Sequence, residues 1–176
     1  APTKKNYISA RTLLGTVAIG LGIWSFFAIR DHLRWNAYLE KLNTQPGIVV
    51  IKADKRGGKY FISGMRDPLA VDPKMLIKQA NISPKTVISH WTPFLSFEPA
   101  IISKRAEELL QPPKTVSVKV DEKGILYASG SAPGQWILEA RKLWRFIPGI
   151  TQFQDKNLID IELKHLQSYK NQIEQE

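Results

Sequence analysis

The side chains able to do acid–base or nucleophilic chemistry are scattered along this sequence rather than gathered. His32, His90 and His165 lie far apart and lack the short spacings at which imidazoles share a metal. Each reads as structural or solvated. Glu107-Glu108 falls on a helical pattern and Asp121-Glu122 on a turn. A solvated surface accounts for both more simply than a general acid paired with a general base. Ser129-Gly130-Ser131 lacks the Gly-x-Ser-x-Gly spacing of a nucleophile elbow. Arg56-Gly57-Gly58-Lys59 is glycine-rich without phosphate-loop spacing, and reads as a hairpin turn. The chain has no cysteine, which removes disulfides, thiolate nucleophiles and thiolate zinc sites and fits an oxidising compartment as well as a reducing one. Trp136 and Trp144 fit the core face of a helix, and Trp35 and Trp91 fit the same role. None forms a stacking platform for bases or sugars. No catalytic, cofactor-binding or metal-ligating residue is assigned, no cofactor is expected, and an enzyme is the most distant reading.

What remains is charge. The formal net charge is +9, from 25 Lys and Arg against 16 Asp and Glu. No run of five like charges occurs, so nucleic acid is disfavoured as a partner. An anionic surface such as lipid headgroups suits the excess better. The candidate contacts are Arg34, Lys41, Lys55, Arg56, Lys59 and Arg66, three of them within one turn of chain. The competing account is a solvated hairpin kept soluble by its charges.

These cations need something to hold them near a surface. Leu13 to Ile29 reads LLGTVAIGLGIWSFFAI, without charge or proline. As a helix it would span roughly 25 Å, slightly short of a bilayer's hydrocarbon core, with Arg11 and Arg30 able to snorkel. Trp24, Phe26 and Phe27 suit an interfacial belt. Leu13, Gly15, Ala18, Gly22, Trp24, Ser25 and Ile29 are its marker positions, and Gly15, Ala18, Gly22 and Ser25 share a face that would admit a second helix. A signal peptide would also begin basic and turn apolar, but no small-residue cleavage pattern follows. A buried core helix normally shows a polar stripe, which this one lacks. The flanking cations tie: Lys4, Lys5 and Arg11 before, Arg30, Arg34 and Lys41 after. The expected orientation is N-terminus inside, with the remaining chain translocated.

That remaining chain repeats itself. PGIVVIKAD from Pro46 matches PKTVSVKVD from Pro113, aligning Val49 with Val116 and Ile51 with Val118. A glycine turn follows each, then YFISG (Tyr60 to Gly64) against LYASG (Leu126 to Gly130): two hairpins. Helical spacing follows at Trp136, Ile137, Ala140, Leu143, Trp144 and Ile147, and a shorter helix opens at Asp72-Pro73. Third strands are expected at Thr86–Trp91 and Ile150–Phe153. Helices precede each hairpin, at Leu33–Leu42 (apolar at Leu33, Leu39 and Leu42) and from Pro99 through Ile102, Ala106, Leu109 and Leu110. Alternation marks Val49, Ile51, Val116 and Val118 for burial, and helical spacing marks Leu109, Ala140 and Leu143.

The order α-β-β-α-β, the unit of roughly 65 residues and the hairpins ending Ser63-Gly64 and Ser129-Gly130 resemble the BON domain, named for bacterial osmotic-shock and nodulation proteins. The succession PGIVV, GGKYFISGMRDPLA, LLQPPKTVSV, GILYASGSAPGQWILEAR and IPGIT resembles one setting of it. That setting is the tandem BON-like region, with its preceding membrane helix, of bacterial OmpA-family envelope proteins. No OmpA-like domain follows, so peptidoglycan binding is carried to no residue. The implied fold is α+β: a tail and transmembrane helix (1–30), BON-like units at 31–95 and 96–160, and a polar C-terminal helix (161–176). The resemblance implies a non-enzymatic tether or scaffold at the bacterial inner membrane, its domain on the periplasmic or lumenal side, contacting lipid or another envelope protein. The alternative is an accessory subunit of a larger membrane complex. Helix–helix self-association is a further expectation.

Overall fold

The computed structural model describes residues 10–173, with side chains from residue 14 to 168 and at 170. Lys4 and Lys5 lie outside the described residues; Leu13 and Arg11 lie on the first helix, without described side chains. That helix, α1 (Ala10–Asn43), is a single element. The expected membrane segment and the expected helix at Leu33–Leu42 are one rod of about 50 Å, because no proline lies between Ala10 and Pro46. The boundary expected at residue 30 therefore falls inside a helix, so the apolar segment is joined to the folded part without a flexible linker.

Two mixed three-stranded sheets follow. β1 (Ile48–Arg56) pairs antiparallel with β2 (Lys59–Arg66), which pairs parallel with β3 (Val87–Pro93) across α2 (Pro73–Gln79). β4 (Val116–Val120), β5 (Ile125–Ala132) and β6 (Gln152–Asp160) repeat that arrangement, with α3 (Pro99–Leu110) before the hairpin and α4 (Gly134–Leu143) at the crossover. α5 (Ile161–Ile173) ends the described chain. The order α-β-β-α-β thus occurs twice in an α+β fold. The third strand of the second unit begins at Gln152 and runs to Asp160, later and longer than the expected Ile150–Phe153, since Pro148-Gly149 and a turn at Ile150 come first.

Local chemistry explains the turns. Gly57 and Gly58 both have positive φ (55° and 74°), as a two-residue hairpin turn matching strand twist requires. The second hairpin turns over Asp121, whose carboxylate accepts from the backbone N–H groups of Lys123 and Ile125 at 2.9 Å. Asp72 caps α2 by accepting from the Lys74 N–H, with Pro73 in the first turn.

Each sheet has its own core. Trp35, Tyr38 and Leu42 of α1 pack on Ile48, Tyr60, Ile62, Leu76 and Ile77; Ile102, Ala106 and Leu110 of α3 pack on Val118, Leu126, Ala128 and Ala140. α3 serves both, because Ile101 enters the first core and Ile102 the second. Of the positions marked for burial, Val116, Val118 and Ala140 are buried. Val49, Ile51, Leu109 and Leu143 are exposed, as is Leu33. The reason in β1 is a bulge between Val50 and Lys52, which makes Ile51 an extra residue and puts Val50, not Val49, opposite the first Ser-Gly glycine. Val116 stands opposite the second, Gly130, so the units align one residue away from the sequence match before the bulge and two residues away after it. Leu109 flanks the Ile102–Ala106–Leu110 stripe. Leu143, the last residue of α4, flanks the stripe that runs from Ala140 to Trp144.

Candidate lipid-facing site

From Leu14 to Ile29 every residue of α1 is exposed, Trp24 to 70%. This segment makes α1 long and apolar enough to cross a membrane, and none of its apolar window is buried against the rest of the protein. Gly15, Ala18, Gly22, Ser25 and Ile29 all lie on this uncovered stretch. A Cβ added at Gly15 or Gly22 would meet nothing within 4 Å.

The first hairpin runs back along α1 toward that segment. A nine-residue strand is roughly 30 Å long, whereas a helix rises only about 1.5 Å per residue. β1, starting just past the end of α1, therefore returns its tip to the level where the apolar stretch ends. The contacts agree. The Tyr60 ring stacks on Trp35 at 4.3 Å between centroids, and its hydroxyl donates to the Asp31 carbonyl at 3.5 Å. Lys55 Nζ lies 5.0 Å from the centre of the Tyr60 ring, and the Arg30 guanidinium 4.7 Å from that of Phe27. A hollow of about 340 Å³ opens between these elements, lined by Asp31, Arg34, Lys55, Gly58, Ser83 and Thr86 among others.

Of the sequence-predicted cations, the structure brings Arg34 and Lys55 to one hollow and leaves Arg56 and Lys59 exposed at the hairpin tip beside it. Arg56 bonds Asp54 at 2.8 Å and Lys52 reaches the same carboxylate at 3.3 Å. The Arg56 guanidinium beside it holds the Asp54 carboxyl below its ordinary value, with Lys52 adding to the effect. Lys41 is exposed but two helical turns beyond Arg34. Arg66 does not belong to the group. It lies at the opposite end of the hairpin, paired with Ile48, and its guanidinium donates to the Ala70 and Val71 carbonyls at 2.7 and 3.1 Å. It braces a loop. Two further cations sit at the same end: Arg30, expected from the sequence to snorkel, on α1 before Asp31, and Lys85, which the sequence reading did not nominate, in the 3-10 turn leading to Val87, which pairs with Tyr60. The order of the sheet was the missing signal.

Among the described residues no three of His, Cys, Asp or Glu come together as a metal site. His32, His90 and His165 are all exposed. A larger hollow of about 830 Å³ lies between α4, β6 and α5, bordered by Leu138, Leu163, Asp160, Glu162 and the Arg141–Asp155 ion pair.

No family model and no curated protein matches the sequence. Among solved structures the chain is similar to the C-terminal domain of CdsD, described as the structural protein of the type III secretion system of Chlamydia trachomatis. The likeness is loose, with a TM-score of 0.31 and 13% identity. It covers 64% of this chain and 57% of that one, so the present chain spans little more than half its length.

Proposed function

We propose that this chain is a non-enzymatic, membrane-tethered envelope scaffold whose first hairpin rests on anionic headgroups. The observation that carries this is the hollow shared by Asp31 and Arg34 of the helix with Lys55 and Gly58 of the hairpin, one turn past the apolar segment. The internal duplication supplies a comparison. The hairpin beside the apolar segment reads Lys55-Arg56-Gly57-Gly58-Lys59, whereas its counterpart reads Asp121-Glu122-Lys123-Gly124. The fold tolerates either, so the basic tip answers to its surroundings. Each Lys or Arg close to an anionic bilayer contributes about 1 kcal/mol, which bias together a domain already tethered. The tandem BON-like architecture, with the domain on the periplasmic side of a bacterial inner membrane, is the setting this reading implies.

The test places the full chain in nanodiscs of neutral or anionic lipid and follows hydrogen exchange of the Asp54–Tyr60 segment. Protection on anionic lipid, removed by high salt and by the Lys55/Arg56/Lys59→Ala triple variant, supports headgroup contact. Equal exchange on both lipids at low salt leaves the hairpin solvated and sinks the lipid role.

A further inference from the structure

We propose that the outer face of the first sheet is a self-association surface on which two copies of this chain pair. The cross-strand register sets Val49 beside Met65, Lys52 beside Ser63 and His90, and Asp54 beside Phe61 and Ile88, all on the face turned from the core. Val49, Phe61 and Ile88 are 40%, 37% and 46% exposed there, and the bulge residue Ile51 is 67% exposed. A bulge that adds one residue to a strand and leaves that residue as an exposed isoleucine is not a requirement of folding.

The second unit shows what the fold alone requires. Aligned through the two Ser-Gly glycines, Val49 corresponds to Thr115, Met65 to Ser131, Phe61 to Tyr127 and Ile88 to Gln154, and Ile51 has no counterpart. Tyr127 turns its hydroxyl to Asp121 at 3.1 Å. At these four positions the outer face carries Thr, Ser, Tyr and Gln in the second unit, where Ile159 beside Ser131 is its exposed aliphatic, and Val, Met, Phe and Ile in the first.

Charge points to a second copy as the occupant. Lys52, Asp54 and Arg56 alternate in sign along β1, so the face carries both a carboxylate and its matching cations. Two such faces related by a two-fold axis can exchange Asp54 between chains, the self-complementarity that an isologous contact needs. Identical helices would hold both faces at one height above a shared membrane, raising their effective concentration. This last point uses the tether of the reading above but not its lipid contact, and it is read by a different observable.

The absence of cysteine makes the test clean. Phe61→Cys and Ile88→Cys in the full membrane-embedded chain are oxidised and the products weighed, with Tyr127→Cys as the matched control. Disulfide dimers of this chain at the first two positions and none at the third support the pairing. Monomers throughout, equal dimers at Tyr127→Cys, or adducts with a protein of different mass overturn it. Ile51→Glu, at an exposed position, provides the second variant. It should keep its circular dichroism and melting temperature while losing the dimer in light scattering, and a persistent dimer refutes the surface.

Discussion

The Asp67 carboxylate and the Arg105 guanidinium meet at 2.9 Å across the seam between the two units. Asp67 is fully buried at the end of β2, and Arg105 projects from α3. The carboxylate also accepts from the Leu69 and Ser96 N–H groups at 2.9 and 2.7 Å, so its charge is shared among three donors. Beside it, Glu98 accepts from the Gly47 N–H at 2.9 Å, and Ile101 reaches into the first core. The seam thus joins polar and apolar contacts, which is how two small units with separate cores hold one arrangement.

Arg105→Ala should destabilise the protein by about 3 kcal/mol, because it strands a buried carboxylate with only its backbone donors. Urea unfolding followed by tryptophan fluorescence checks this, since Trp35 and Trp91 report on the first unit and Trp136 and Trp144 on the second. A single transition at the native midpoint would show that the pair does not couple the units.

The fold was legible where sequence periodicity was strong. The Pro99–Leu110 helix and both hairpins follow from spacing and turn residues, whereas the strands expected to end at Ser63-Gly64 and Ser129-Gly130 run on to Arg66 and Ala132. The bulge at Ile51 was not legible, because VVIKAD and VSVKVD alternate equally well with or without an extra residue, and only strand pairing reveals which one is surplus. The same limit governed the candidate site. Lys55, Arg56 and Lys59 are adjacent in sequence and were visible, and Arg34 was visible beside the helix. Lys85 is thirty residues from Lys55 and joins it only through the parallel pairing of β2 with β3. Arg66 looked like its basic neighbours until the Ala70 and Val71 carbonyls claimed it.

Stability should fall at both pH extremes through one interaction in the second hairpin. The Ile125 N–H holds the Asp121 carboxyl below its ordinary 3.8, helped by the Tyr127 hydroxyl and the Lys123 N–H. Tyr127 is held above its ordinary 10.0 by the same carboxylate. A depressed carboxyl contributes stability above its unfolded value and loses it as pH falls through the folded one. A raised phenol contributes below its unfolded value and loses it as pH rises through the folded one. The melting temperature of Tyr127→Phe should therefore approach wild type below about pH 4 and above about pH 10, and differ most between them. A constant difference across that range would show that the hydroxyl–carboxylate bond carries none of the pH dependence.

The glycines of the two Ser-Gly pairs, inside β2 and β5, predict the largest effect of a single methyl group. A Cβ at Gly130 would lie 2.0 Å from the Thr115 carbonyl oxygen, and φ there is +122°. A Cβ at Gly64 would lie 2.2 Å from the Val49 oxygen and 2.7 Å from the Trp91 ring. Both obstacles include backbone of the paired strand, which cannot yield without breaking register. Gly64→Ala and Gly130→Ala should each cost more than about 2 kcal/mol through forced backbone displacement. Gly58→Ala meets open space at φ +74°, so only left-handed strain of about 1 kcal/mol applies. Denaturant midpoints of the three variants decide the matter. A Gly130→Ala chain no less stable than Gly58→Ala would mean that the strands part at that point without cost, and that the glycine is not what sets the shared register of the two units.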